Sequence, residues 1–361
     1  MTRDKVVLLA EDCVEVNNVL YFVSKDINVV FGLDITNGNV FAINCLPEHG
    51  VLDKRLGAKI LSWNDELIFA PMKAKKVWRY NLQTKNWMGY ERKLLEAGKT
   101  GTEMFDAVLY NDTAFIIGCN YPAIMKIELL NNEITYIEEP YQLLKEKKHA
   151  MGDSYFRTSY ARIENRIFLA SCLDNLVLEF DLESLEFKWH EVGRKGNCYS
   201  GISWDGKYFW IAPRNNTPLV RWNGKDDVIE YSLPEEFRDC KNYFLGVVSW
   251  NDEIILPGFE SEYSLIMEKG KMGAFKKVSG QFLFFKEMCN GKVISCTADG
   301  ELVIRQRDEE KRYALVCEKE MLLDVMKTNF IESECKRNKE IRLIENDLFS
   351  IETFIEWITV K

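Results

Sequence analysis

The chain is poor in the residues and spacings that announce common chemistries. It has 10 cysteines but no Cys-x-x-Cys pair, and its 3 histidines are far apart in sequence, so zinc fingers and thioredoxin-type redox motifs are excluded. No Gly-x-Ser-x-Gly elbow, phosphate-binding glycine loop or calcium loop of alternating carboxylates occurs. No apolar run approaches the roughly 18 residues of a membrane-spanning helix. Val6-Val-Leu-Leu9 is followed at once by Glu11 and Asp12, too short for the apolar core of a signal peptide, and the expected address is the cytoplasm. A net charge of −9 argues against a general nucleic-acid or anionic-membrane surface. With 47% hydrophobic and 12% aromatic residues and no low-complexity tract, the 361 residues are ample for a large core.

What is present is a repeat. Gly246-Val-Val-Ser-Trp-Asn-Asp-Glu-Ile-Ile-Leu-Pro-Gly258 sets two apolar runs about an Asn-Asp pair, and Leu61–Pro71 and Ile202–Pro213 repeat the phrase. Such a pair suits a tight turn between strands, because Asn and Asp tolerate left-handed backbone. Looser copies turn at positions 17, 111, 164 and 290, and the intervals between successive turns run 47, 47, 53, 41, 46 and 39 residues. A period of about 45 residues holding four strands is that of a β-propeller blade. The expected fold is therefore all-β, a seven-bladed β-propeller of four-stranded antiparallel blades with a short helical C-terminal tail. The blades fall at about 10–46, 57–92, 103–138, 154–193, 197–233, 242–278 and 281–318, followed by a helical extension over 319–361. Within that extension, Leu348, Ile351, Ile355 and Ile358 share a helical face, read as packing on the propeller or as a clasp. Val6–Leu9 is expected to pair with the last blade as an extra outer strand, since a propeller that does not close leaves strand edges exposed.

The outer halves repeat as well. Val77-Trp-Arg-Tyr-Asn-Leu-Gln-Thr-Lys-Asn-Trp87 has the form of Leu178-Glu-Phe-Asp-Leu-Glu-Ser-Leu-Glu-Phe-Lys-Trp189. This aromatic-x-Asp/Asn-Leu-x-Thr/Ser pattern ending in Trp resembles the outer half of a kelch-type blade. The double glycine of kelch second strands and the Trp-Asp ending of WD40 repeats are both absent, so the resemblance implies architecture and no family. Gly32–Gly38 resembles a quinoprotein propeller turn, but a single copy implies no quinone, and no cofactor or metal is expected. Ser203–Trp210 resembles a sialidase Asp-box that lacks one residue. Streptogramin-type lyases are also seven-bladed; their resemblance implies a two-histidine, metal-assisted site, for which His149 and His190 are the distant candidates, with His190 on an outer strand.

Ligands of propellers usually bind where the loops into the first strand meet the loops joining second and third strands. Those loops supply Glu103, Asn120, Tyr121, His149, Asp153, Tyr155, Arg157, Tyr199, Arg214, Asn215 and Tyr243 as ligand-binding candidates. Arg157 and Arg214 together suit a carboxylate or phosphate, because guanidinium forks make paired hydrogen bonds, although an inter-blade ion pair explains them equally. Phe105, Tyr155 or Phe156, Tyr199 and Tyr243 or Phe244 are expected to point toward the axis. The longest insertion, Glu138 to Asp153, carries His149, which is either a proton carrier or a surface residue. Cys119, Cys172 and Cys296 recur at second-strand ends and read as small buried thiols; Trp63, Trp204 and Trp250 read as core. The leading expectation is a noncatalytic module holding a peptide or protein on its loop face. The alternative is a lyase, hydrolase or cyclase acting on a small anionic or peptidic substrate, with Arg157 and Arg214 binding it and His149, Asp153 or Glu103 moving the proton. A small-molecule ligand and a sugar ligand also remain open.

Overall fold

The structure is a computed structural model that describes residues 5–93, 103–148, 153–157, 159–237, 244–259, 261–288, 291–307, 309–322 and 324–325. It is all-β: seven four-stranded antiparallel sheets, each a meander of four consecutive strands, in the class of seven-bladed β-propellers. Blade one is made of Ala10–Val16, Val19–Ser24, Val30–Asp34 and Val40–Asn44, and blade six of Val248–Trp250, Glu253–Leu256, Tyr263–Glu268 and Phe275–Ser279.

The repeated turn residues carry the backbone geometry expected of them. Asn17, Asn64, Asn111, Glu164 and Asn251 have φ between 50° and 54°, and at the fifth turn Gly206 takes the left-handed position at 94°. The residue after each turn then serves a second purpose. The carbonyls of Asn18, Asp65, Asp112, Asn165 and Asp252 accept hydrogen bonds from Ile35, Leu82, Leu129, Leu182 and Lys269, each just past the third strand of its blade, at 2.8–3.0 Å. The Asp/Asn-Leu-x-Thr/Ser pattern is thereby explained. Asp34, Asn81 and Asp181 accept from the backbone N–H groups two or three residues on, as at Ser184 (2.9 Å), forming an Asx turn that starts the outer hairpin.

Second strands read as unbroken apolar runs because both of their faces are covered; Thr113–Ile117 and Arg166–Ala170 are buried at every position after the first. Fourth strands, such as Phe187–Glu191, are mostly exposed.

The contacts divide the chain into two compact units. One runs through Glu91 and adds Ala298–Val303 and the chain from Glu310; the other comprises Arg92–Thr297 and Ile304–Glu309. In the first unit, Lys5–Val7 pairs antiparallel with Val316–Glu318 as a separate two-stranded ribbon. The expected extra outer strand of blade seven is thus corrected: the partner lies beyond that blade's fourth strand, because the chain crosses Leu315, whose carbonyl accepts from Leu8 at 2.7 Å, before pairing resumes. Val6 and Leu8 are each 2% exposed, an apolar burial of about 1.5–3 kcal/mol apiece. In the second unit, cores form between successive blades. Phe115, Phe156 and Phe180 pack between blades three and four, Phe209 and Trp222 between four and five, and Trp210, Phe237 and Met267 between five and six. First strands of blades four to six approach closely at Ser159, Gly201 and Gly246, where a Cβ on Gly201 would lie 3.1 Å from the Gly246 Cα.

Within the long insertion after blade three, the described residues pack against the core. Pro140 starts a turn of 3-10 helix, Glu139–Tyr141, continued by Gln142–Lys145, and Tyr141 and Leu144 bury fully, three residues apart on one side. Residues 319–322 and 324–325 are helical, in the expected C-terminal extension; the helix expected at 348–358 lies outside the described residues. No described helix is long and apolar enough to cross a membrane.

Candidate functional site

At the ends of the blades opposite the Asn turns, backbone hydrogen bonds pass from one blade to the next. The segment leading into a blade donates to the residue just past the preceding blade's second strand: Tyr155 to Cys119 at 2.6 Å, Tyr199 to Ser171 at 2.9 Å. Within a blade, Cys119 itself donates back to the Glu103 carbonyl, and Cys172, the residue after Ser171, to the Tyr155 carbonyl, each at 2.9 Å. Glu103, Cys119, Tyr155 and Cys172 therefore follow one another along the ends of blades three and four. Blade five adds Cys198, paired in register with Arg214, the last residue of its second strand. Thr217 pins that corner: its hydroxyl donates to the carbonyls of Cys198 (2.9 Å) and Arg214 (2.8 Å) and accepts from the Arg214 N–H (3.1 Å).

Arg214 hydrogen-bonds the Cys172 thiol, and the charge of Arg157 also acts on it. Burial raises the Cys172 thiol above its ordinary value, and both guanidiniums oppose that rise, Arg214 also by a hydrogen bond. Burial likewise pushes the Cys119 thiol up to about 12 against a hydrogen bond with Ser154 and the charge of Arg157, while the Glu103 carboxylate adds to the rise. Cys198 is raised by burial with Arg214 opposing. Cys119, Cys172 and Cys296 are buried free thiols, as their repeated positions imply, although the first two lie two residues past their strands. Lys148 completes the edge. Its ammonium sits 4.6 Å over the Tyr155 ring and 3.5 Å from the Asn120 carbonyl, and burial lowers its proton affinity, with Asp153 acting the other way.

The sequence candidates divide into three groups. Arg157, Arg214, Glu103 and Asp153 are half-buried; the charges of the first three act on these thiols and that of Asp153 on Lys148, and Asn215 is exposed beside Arg214 in a left-handed conformation (φ 58°). Asn120 acts on the protein itself: its side chain accepts from the Glu103 N–H at 2.7 Å and donates to the Glu103 carboxylate at 2.9 Å. The tyrosines expected on the ligand side are corrected. Tyr155 (1% exposed) and Phe156 stack edge-on against Tyr141 in the blade-three/four core, and Tyr199 (0%) donates to the Val192 carbonyl inside the next one. Tyr121 is buried too, its hydroxyl donating to Lys93 at 2.7 Å. The physical reason is that each segment leading into a blade must fill the gap between neighbouring sheets, and a ring does so. His149 and Tyr243 lie outside the described residues. His190 is on its outer strand, bonded to Glu179 at 2.7 Å and against the Trp222 ring. Trp63, Trp204 and Trp250 are half-buried rather than core; Trp63 lies 4.6 Å under the Arg79 guanidinium.

Sequence reasoning missed an adjoining cleft of about 210 Å³ lined by Leu143, Lys147, Asp174, Asn175, Leu176, Glu191 and Lys195. Lys147 pairs with Asp174 across it, and despite burial this contact and the Asn175 N–H hold the Asp174 carboxyl below its usual range. The signal lay in the insertion, whose single helical turn supplies Leu143 and whose following turn supplies Lys147. Among the described residues no three His, Cys, Asp or Glu side chains gather as a metal-binding cluster.

No protein-family model matches the chain, and no curated protein matches it. Solved structures do resemble it. Virginiamycin B lyase from Staphylococcus aureus, in a catalytically inactive histidine-to-alanine form with quinupristin, gives a TM-score of 0.61 at 10% identity over 84% of this chain and 95% of that one. BamB from Moraxella catarrhalis gives 0.56 at 12% identity, over 81% and 83%. YCF48 from Cyanidioschyzon merolae gives 0.55 at 13%, over 84% and 97%. At these identities the likeness is one of fold.

Proposed function

We propose that the protein is a noncatalytic binding module that holds an anionic peptide segment of a protein partner at the loop ends of blades three to five. The observation that carries this reading is Arg214 at the end of its strand, hydrogen-bonded to Cys172, with the charge of Arg157 also acting there, and making no ion pair to a carboxylate among the described residues. An uncompensated guanidinium at a strand end is a ready donor to carboxylate or phosphate oxygens. The surrounding groups suit binding better than turnover. A thiol held near 12 stays protonated at neutral pH and is no nucleophile. Both described histidines are engaged, His49 with Asp53 and His190 with Glu179. The reading includes a reducing compartment such as the cytoplasm, supported by seven free cysteines among the described residues.

The test is an array of immobilised acidic, phosphorylated and uncharged peptides probed with the wild type and with Arg157→Ala/Arg214→Ala. Acidic or phosphorylated peptides should be retained by the wild type and at least about tenfold less by the double variant. Equal retention of charged and uncharged peptides, or of all peptides by both proteins, would overturn the reading.

A further inference from the structure

A second charge in the same cluster lacks a counterion. The Glu103 carboxylate accepts from the Asn120 amide at 2.9 Å, and among the described residues it meets no lysine, arginine or histidine in an ion pair. Asn120 aims it: the same side chain holds the Glu103 backbone N–H at 2.7 Å, so both ends of the residue are fixed by one amide. The Glu103 carbonyl in turn is bonded to the Cys119 N–H, placing the residue at the opposite end of the row from Arg214. A half-buried carboxylate and a half-buried guanidinium, each held by its neighbours and each lacking an opposite charge, are complementary to a ligand that carries both signs.

We infer that the segment held at this site is an extended dipolar peptide, its acidic group on Arg214 and Arg157 and a basic group on Glu103. The proposal rests on the binding reading above. The row of backbone hydrogen bonds sets the spacing. Glu103 to Cys119, Cys119 to Tyr155 and Tyr155 to Cys172, the thiol that Arg214 hydrogen-bonds, are three neighbour steps of about 5 Å each, a path of at most roughly 15 Å. An extended chain advances about 3.3 Å per residue, so the acidic and basic side chains should lie no more than about five residues apart. Lys148, beside Asn120, adds a positive charge between the two poles and disfavours a basic residue in the middle of the segment.

The experiment is isothermal titration of the full chain with acetylated, amidated peptides in which Asp and Lys are separated by one to six Gly/Ser residues, in both orders. Each is compared with the same peptide carrying norleucine for Lys. At the best spacing the Lys peptide should bind about three- to fivefold tighter. Glu103→Gln, which keeps an oxygen for Asn120, should erase that advantage, so that the Lys and norleucine peptides bind the variant equally. Equal affinity of Lys and norleucine peptides at every spacing, or an advantage that survives Glu103→Gln, would overturn the inference while leaving the arginine site standing. If the norleucine peptides bind the wild type and Arg157→Ala/Arg214→Ala alike, the binding reading fails and this inference falls with it.

Discussion

The two ends of the blades solve different problems with the same strands. At the Asn-turn end, blades one, two, three, four and six use one set of hydrogen bonds: a left-handed turn residue, a carbonyl behind it that holds the residue past the third strand, and in three blades an Asx turn beyond. At the loop end the backbone bonds between blades recur, yet the residues at or just past the ends of the second strands differ: Met72 in blade two, Cys119 in three, Cys172 in four, Arg214 as the last strand residue in five and Gly258 in six. Repetition at the turn end serves stability, and the variety at the loop end is what the proposed binding role would use. Substitutions at the turn end should therefore cost folding free energy without touching binding, and those at Arg214 should do the reverse.

The strongest way to break that contrast is at Asp205, in the fifth turn. One of its oxygens accepts from the N–H groups of Lys207 (2.9 Å) and Tyr208 (2.7 Å), and the other from the buried Trp210 indole (2.7 Å). Asp205→Ala leaves the indole without its acceptor and should cost about 3 kcal/mol, measured by denaturant unfolding. The pH dependence has a definite sign. Burial pushes the Asp205 carboxyl upward, but Trp210, Tyr208, Lys207 and the Lys269 charge outweigh it and hold it below its usual range. Its stabilisation is therefore complete above the unfolded carboxylate's value of about 4 and is lost as pH falls through the lower folded value. The gap between wild type and variant should be full at neutral pH and shrink in acid. A gap that widens below about pH 4 would contradict the assignment.

A smaller effect is expected at Asp181, whose carboxylate accepts from the Glu183 and Ser184 N–H groups and from the Asn165 amide at 2.9–3.1 Å. Asp181→Ala should cost about 1 kcal/mol in denaturant unfolding and leave peptide affinity unchanged. Arg214→Ala in the same pair of assays should stay within about 0.5 kcal/mol of the wild type and lose the peptide.

The contrast also explains what could be read from the chain. Turn chemistry is local: an Asn-Asp pair between apolar runs states its own geometry, so the hairpins and blade count follow from seven short phrases. The positions of Arg157, just before the first strand of blade four, and Arg214, at the end of the second strand of blade five, follow from the register of the repeat. The tyrosines misled for a related reason. Tyr155 and Tyr199 lie beside the backbone bonds that join blades, and the packing between neighbouring sheets decides which way a ring turns, information that no single blade's sequence contains. Lys147 and Asp174 escaped notice because their contact needs the helical turn at Gln142–Lys145, one turn long and too short to show a period.

The smallest and sharpest prediction concerns the turns that depart from their own pattern. At the turn of the outer hairpin, Gly38 (φ 77°), Lys85 (61°), Asn132 (64°) and Leu185 (63°) occupy equivalent left-handed positions, each donating to the carbonyl that ends the third strand. Glycine and asparagine take that conformation readily, whereas a residue with a longer side chain brings its Cβ close to the following carbonyl at about 1 kcal/mol. Leu185 offsets this by packing against the core between blades three and four, but Lys85 is exposed. Lys85→Gly should therefore raise unfolding stability by about 0.5 kcal/mol, the relief of strain exceeding glycine's larger unfolded-state entropy. Leu185→Gly should lower it, since the lost packing outweighs the same relief. If both substitutions shift the denaturant midpoint in the same direction, backbone strain and side-chain packing are not separable at this turn, and the turn end is less uniform than its hydrogen bonds indicate.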